Sequence, residues 1–516
     1  MINFLKNVNT INGDCMNNNL LSNISLTTSL EDNITTFKQI FSDDFTFIAR
    51  EFQNKYLPSV KFCIFYFKGM VDTEVLNEHV IEPILSENLM EDISLLNLVD
   101  ELQNKVIMSS DITSSNDFQT ILDSMIYGDT VLLVDGYDNA LLINSKSWPS
   151  RAIDEPESAQ VVRGPREGFV ESILTNISLV RRRIKNPNLK FKCKELGVQT
   201  HTKICIAYIE GVADENILSE LEKRLDQIEI DGILDSGYIQ EFIKDAPYSP
   251  FETVGANERP DIVAGKLLEG RIAVFVDGSP FVLTVPYIMI EYFQANEDYY
   301  NNFLFASFNR IIRAASGLLS ISIPGLYLAI AAYHQEMLPT SLLISISAAR
   351  QNVPFPTVVS IFAMLTIFDI VREVGTRIPT PIGQAINIVG ALVLGEAAAD
   401  ANLVSAPVII ITAFTGMTKL LNPNLLGAII ILRTLLLFAS AFLGIYGFIL
   451  GYLAIVLHMM SLRSFGVPYM LNTTRIKDQD GKDAWIRAPW WMMSLRPKLI
   501  GKKNLLRQPS KKAKRK

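Results

Sequence analysis

The side chains most able to do chemistry sit where charge is least expected. Between about Ile311 and Leu462 the chain is overwhelmingly apolar, with Gly, Ala, Pro and Ser interleaved. Within that region Asp369, Arg372, Glu373 and Arg377 stand at i, i+3, i+4 and i+8, so that one helical face carries them. Glu396 and Asp400 repeat the i, i+4 spacing, and Arg433 lies in a stretch, 424–462, that only it and His458 interrupt. An ionised group at membrane depth is costly and as a rule lines an ion path or pairs with another charge. These residues are therefore the pore or gating candidates. For those on 369–400 a solvated helix end just outside the bilayer is the competing reading. For Arg433 a buried pair or a water-filled lining is favoured over snorkelling.

A second charged cluster lies in RGPREGFVESILTNISLVRRRIK, residues 163–185. Gly164-Pro165 reads as a loop, because proline fixes its own φ and turns the preceding residue away from helix. Phe169, Ile173, Ile177, Val180 and Ile184 then recur at threes and fours, one face of an amphipathic helix. Arg181, Arg182 and Arg183 close it, where positive charge suits the helix C-terminal dipole. With Arg163, Gly164, Pro165, Arg166 and Glu167 they are candidates for coupling subdomains or subunits.

Other chemistry finds no support in the sequence. No GxGxxG, GxxxxGK[ST] or GxSxG occurs, and GPREG lacks the lysine of a phosphate-cradling loop. His79, His201, His334 and His458 are scattered, and Cys15, Cys63, Cys193 and Cys205 form no CxxC and no disulfide framework. Cys63 and Cys205 lie in apolar runs, where a buried reduced thiol is the default. Asn23, Asn33, Asn176 and Asn472 match glycosylation sequons, a pattern that arises often by chance. An enzyme, a metal site and a cofactor are not indicated.

The elements that must position these charges divide the chain. KFCIFYFKGMVDTEVLNE (61–78) aligns with KICIAYIEGVADENILSE (203–220), and the same offset of 142 aligns GDTVLLVDG (128–136) with GRIAVFVDG (270–278). The soluble part is thus a duplicated α/β subdomain, each copy with a hairpin turned at Asp-Gly. The copies span 32–150 and 203–300, after a disordered Asn-rich start (1–31), with a joining helical segment at 151–202. The region 301–462 is the membrane domain. Apolar stretches at 314–333, 352–368, 381–399, 403–417 and 424–462 predict four to six spans, the last as two spans turned near Gly444–Gly451 or as one span with an interfacial extension. Pro354, Pro356, Pro379 and Pro381 interrupt the region, and Ala391, Gly395 and Ala399 form a small-residue face suited to close packing. The net charge of −7 averages an acidic N-terminal part and a basic tail, 463–516, that ends Lys511, Lys512, Lys514, Arg515, Lys516. Arg310, Arg313 and this tail place both ends of the domain in the cytosol. Anionic lipid is the favoured partner of the tail, with Trp485, Trp490 and Trp491 as an interface belt, and nucleic acid is not.

Two long motifs carry a resemblance. RGPREGFVESILTNISLVRRRIKNP and FDIVREVGTRIPTPIGQAINIVGALVLGEAAADANLVSAP (368–407) resemble the signatures of the A subunits of spore germinant receptors, the GerA-type family, and the likeness extends from about Asp32 to Arg496. The resemblance implies a multi-pass protein of the spore inner membrane with a transporter-like B subunit that binds nutrient and a lipoprotein C subunit. It further implies a homo-oligomer that forms or gates a nutrient-opened ion-conducting unit. The other reading is a non-conducting scaffold that holds the B and C subunits and binds a ligand between the repeats. A transporter acting alone would need an inverted repeat, and none is visible. The expected fold is an α/β duplicated cytosolic N-terminal domain followed by an α-helical multi-span membrane domain.

Overall fold

The strands that begin each repeat are apolar on both faces, and such strands must lie inside a covered sheet. A computed structural model describes residues 26–87, 95–109, 111–147, 163–377, 395–471 and, in the tail, 483–493, 495–497, 500–501, 504 and 506–507. The Asn-rich start as far as residue 25, the stretch 378–394 that holds Pro379, Pro381 and Ala391, and the last basic run lie outside the described residues. So do Asn23 and Asn472.

In the first copy, strands β1 (Phe47–Gln53), β2 (Lys61–Phe67), β3 (Ile112–Ser115), β4 (Thr130–Val134) and β5 (Ala140–Ile143) form an antiparallel sheet in the order β1-β2-β4-β5-β3. Helices α1 (Leu30–Ile40) and α2 (Phe118–Ile126) pack on it. The second copy repeats the order with β6 (Leu189–Leu196), β7 (Thr202–Ile209), β8 (Gly255–Asn257), β9 (Ile272–Val276) and β10 (Val282–Val285), as β6-β7-β9-β10-β8. Its helices are α3 (Ile173–Arg183), α4 (Glu215–Asp226), α5 (Ser236–Ile243) and α6 (Pro260–Glu269).

The segment expected to join the copies therefore belongs to the second copy from Ile173 onward. Helix α3 is the counterpart of α1. Its apolar stripe, Ile173, Ile177 and Val180, lies on Phe191, Cys205, Ala207 and Phe275 of its own sheet. Local chemistry is duplicated as faithfully as the topology. Asp135 and Asp277 turn the two hairpins, and the carboxylate of each accepts the first helical N–H of α1 or α3, from Leu30 at 3.3 Å and Ile173 at 3.1 Å. The following Gly136 and Gly278 have φ of 83° and 85°, a left-handed conformation that favours glycine. Asn33 and Asn176, two of the sequon asparagines, are buried and each makes a pair of hydrogen bonds to the backbone of the loop before its helix.

The apolar region begins with α7 (Phe303–Tyr333), α8 (Thr340–Arg350) and α9 (Thr357–Arg377). After a helical stretch at 395–400 come α10 (Ala406–Lys419) and α11 (Leu426–Ser461). Among the described residues, two helical stretches, Phe303–Tyr333 and Pro423–Ser461, are long and apolar enough to cross a membrane. α11 is broken at Gly444, at φ 58° and ψ −135°. There the chain reverses: Gly451 packs on Leu436 and Ala439, and His458 returns to Ser249 of the second copy at 2.9 Å. The chain over 424–462 thus follows a turned path of two legs. Each leg is about 26 Å at ~1.5 Å per residue, close to the ~30 Å of a bilayer's hydrocarbon.

Candidate functional site

Asp369 lies on α9, Lys419 ends α10, and Arg433 lies on the first leg of α11. The bundle brings the three together. Lys419 Nζ is 2.5 Å from Asp369 Oδ1 and Arg433 Nη2 is 2.6 Å from Oδ2. The lysine and arginine are buried at 4% and 3% side-chain exposure, while the carboxylate keeps 21%. Leu365, Met364, Val408, Leu437 and Leu328 pack as an apolar layer in the same bundle. At an effective dielectric of about 20 each contact is worth roughly 4 kcal/mol before desolvation is subtracted. Two cations share one carboxylate, so the cluster carries excess positive charge, and Arg433 Nε finds no acceptor among the described residues.

The other charges of α9 do not join this cluster. Glu373 pairs with Arg377 at 2.8 Å, and at 50% and 77% side-chain exposure both lie on the outside. Arg372 approaches Glu373 at 3.7 Å. Eight residues carry a helix about 80° past two full turns, so Arg377 has left the face of Asp369. Glu396 and Asp400 are exposed. Lys419 is the partner the sequence reading missed. It closes the apolar run 403–417 as an ordinary helix-ending cation would, and only the fold turns it inward.

A second buried charge cluster roots the apolar bundle in the second α/β copy and the tail. Arg310, 0% exposed at the start of α7, contacts Asp298 at 3.2 Å and Asp483 at 3.0 Å, and donates to the carbonyls of Asp483 and Ala484. Arg313 pairs with the same Asp298. Tyr299 donates to Asp483 at 2.6 Å, and Trp485 stacks on Phe293. The arginines expected to flank the first span are thus held in ion pairs. The described tail folds onto the second copy: Arg496 donates to the Leu268 carbonyl, and Arg507 faces Glu269 at 3.8 Å. Of the expected tryptophan belt, Trp490 and Trp491 remain exposed and Trp485 packs inward.

The third cluster lies between the repeats. Arg181, 1% exposed, reaches from α3 to Asp44 of the first copy at 2.5 Å and to the Thr46 hydroxyl at 3.0 Å. Its guanidinium stacks between Phe67 of the first copy at 4.1 Å and Phe191 of the second at 4.9 Å. The Phe45 N–H donates to the Phe191 carbonyl beside it. Arg182 and Arg183 instead both pair with Glu167. Arg163 and Arg166 are exposed, Gly164 abuts the Tyr300 ring, and the Pro165 carbonyl accepts from Arg259. An open cleft of about 810 Å³ lies between the copies, lined by Asp44, Phe47, Phe191 and Cys193 among others. A separate cavity of about 520 Å³ lies where α6 meets the turns before α7 and the tail, lined in part by Lys266, Arg271, Glu291 and Trp490. Burial alone would raise the Glu291 carboxyl, but Arg271 and Lys266 outweigh it and hold it below its ordinary range.

A duplicated α/β unit rooted by ion pairs in an apolar helical bundle is the architecture on which the comparisons fall. Residues 35–499 match the family described as Bacillus/Clostridium GerA spore germination protein. The chain belongs to that family. It is 39% identical to spore germination protein KA of Bacillus subtilis (strain 168) over 94% of this chain and 89% of the relative. It is 40% identical to the uncharacterized membrane protein YfkQ of the same organism over 84% of each. A solved structure, the N-terminal domain of the A subunit of the Bacillus megaterium spore germinant receptor GerK3, aligns with a TM-score of 0.41 at 32% identity, covering 51% of this chain and 96% of that one.

Proposed function

We propose that this protein is the A subunit of a nutrient germinant receptor in the spore inner membrane, crossing it several times with both termini in the cytosol. It assembles as a homo-oligomer with a transporter-like B subunit and a lipoprotein C subunit. The oligomer forms or gates the ion-conducting unit whose opening starts germination, and the last lysines and Arg515 contact anionic lipid. The observation that carries this reading is the Asp369 cluster. A carboxylate shared by two buried cations joins three apolar helices, and it retains enough exposure to exchange partners. The bundle's outer surface is rich in large apolar side chains, among them Phe414, Phe438, Phe442 and Tyr446, as lipid or neighbouring subunits require.

The scaffold reading draws on the same cluster. Asp369 is satisfied within one chain, so its role in the scaffold is to hold helices together. Cation release from spores carrying Asp369→Asn or Arg433→Gln separates the two, after immunoblots show all subunits at normal level. Leak without nutrient, or slowed efflux, supports conduction or gating by this subunit. Release at the wild-type rate from both variants refutes the gating role and leaves the scaffold.

A further inference from the structure

Cys193 on β6 and Cys205 on β7 are direct partners across an antiparallel ladder, and both thiols are free. Direct partners in such a ladder have Cα atoms about 4.5–5.5 Å apart, inside the roughly 4.4–6.8 Å window of a disulfide. They also project to the same face of the sheet. Closing the bond draws the two Cβ atoms together by about 0.7–1.7 Å.

The two thiols differ in access. Cys205 is fully buried beneath α3, and burial followed by its contact with Cys193 pushes its thiol well above the ordinary range. Cys193 is half-buried near the edge of the sheet, where it lines the cleft between the copies. The first copy has no such pair, because Cys63, the counterpart of Cys205, faces Glu51. Cys63 is therefore an internal control.

We propose that Cys193 and Cys205 are a redox modification site, a thiol pair that a low-molecular-weight disulfide converts to a cross-strand disulfide. The Cys193 thiolate attacks one sulfur of the small disulfide and releases the other half as a thiolate. Cys205 then attacks the Cys193 sulfur of the mixed disulfide, its proton passing to the departing thiolate. Two protein thiols are oxidised, and one small disulfide is reduced to two thiols. The order follows access: of the two, Cys193 meets a solute, and among the described residues Cys205 is the thiol placed to resolve it. The bond forms two residues along β6 from Phe191, whose carbonyl accepts the Phe45 N–H and whose ring stacks on Arg181. The redox state of the pair therefore bears on the contact between the copies.

The test equilibrates the full-length protein in membrane vesicles with mixtures of oxidised and reduced glutathione, blocks remaining thiols with an alkylating agent and digests with trypsin. Lys192, Lys194 and Lys203 place the two cysteines on separate peptides, which only a disulfide can join. The expected result is one joined species, 193 to 205, in the wild type and in Cys63→Ser. In Cys193→Ser it disappears and Cys205 remains a thiol. Thiols that stay alkylatable throughout, a mixed disulfide on Cys193 that Cys205 never resolves, or equal joining to Cys63 would each overturn the proposal. Cys193→Ser lies near a half-exposed sheet edge, and Cys205→Ala gives an independent variant whose Cys193 should stop at the mixed disulfide.

Discussion

Replacing Arg181 by methionine should separate the two repeats without unfolding either. The guanidinium is 1% exposed and its partner Asp44 carboxylate 0%, so the substitution strands a buried charge. Breaking such a pair from one side costs about 3–5 kcal/mol. Asp44 keeps two other donors, the Thr46 N–H at 3.0 Å and hydroxyl at 2.7 Å, which places the cost near the lower end. Methionine also retains much of the contact with the Phe67 and Phe191 rings, so the loss reports charge more than packing. Hydrogen exchange on the full-length protein, read by mass spectrometry, is the assay. About 3 kcal/mol is roughly a hundredfold in the opening equilibrium. That acceleration should appear in α3, β6 and the loop at 44–46, and not in β4 or β5. The double variant Arg181→Met, Asp44→Leu should recover most of the protection, since an apolar pair replaces a buried ion pair at little cost. Exchange in Arg181→Met within threefold of wild type, or acceleration spread evenly over both sheets, would refute the account of this contact.

Asn176→Ala removes both side-chain bonds that close the loop at Val170, and Asn33→Ala does the same in the first copy; each should lower stability by about 1–3 kcal/mol. Thermal unfolding of the full chain checks it, and unchanged melting would be the contrary result. The Glu291 carboxyl is held below its ordinary value of 4.5, so its contribution is present above that pH and is lost as pH falls through the lower folded value. Stability should therefore drop below pH 4.5, and Glu291→Gln should flatten the drop; an acid profile identical to wild type would count against the pairing. Gly444→Ala forces a side chain into φ 58°, with its Cβ 2.9 Å from that of Tyr333. At about 1–3 kcal/mol of strain, it should reduce the amount of protein in membranes on an immunoblot, whereas wild-type levels would show that the turn tolerates a methyl group.

Periodicity and repetition made much of the fold legible. The 142-residue offset found the duplicated core, Asp-Gly marked both hairpins, and Gly444 lay where the chain turns. Partner choice was not legible. Arg181 lies at the edge of the apolar stripe of α3, in a run of three arginines that reads as a helix-ending charge cluster. Its counterpart in α1, Lys38, is exposed, 3.8 Å from Glu51. What buries Arg181 is the docking of the first copy, 137 residues away in sequence from Asp44 to Arg181, a distance over which no local pattern acts. The sequence did hold one signal: where α1 carries a lysine, α3 carries a planar cation able to stack and to hydrogen-bond together. For Asp369 the i, i+4 pattern grouped it with Arg372, Glu373 and Arg377, and Arg433 read as a buried pair or a water-filled lining without a named partner, because helical spacing ranks neighbours on one helix and says nothing of the helices opposite.

The three junctions of the chain are built alike, and the likeness has a mechanical consequence. Arg181 joins the copies, Arg310 joins the second copy and tail to α7, and Arg433 joins α11 to α9; each is buried and held by a carboxylate from the neighbouring element. Apolar surfaces slide past one another at small cost, whereas a buried ion pair is strong only in one geometry and leaves two stranded charges in any other. Such contacts are therefore poor sources of net stability and good determinants of position. The second sheet shares one continuous core with the roots of the apolar helices, through Leu425, Ile429 and Leu432. The first sheet has a core of its own. The first copy is thus tied to the second by polar contacts, Arg181 with Asp44, Lys190 with the Ile40 carbonyl and Phe45 with Phe191, whereas the second is tied to α7 and α11 through a packed core and the Arg310 cluster.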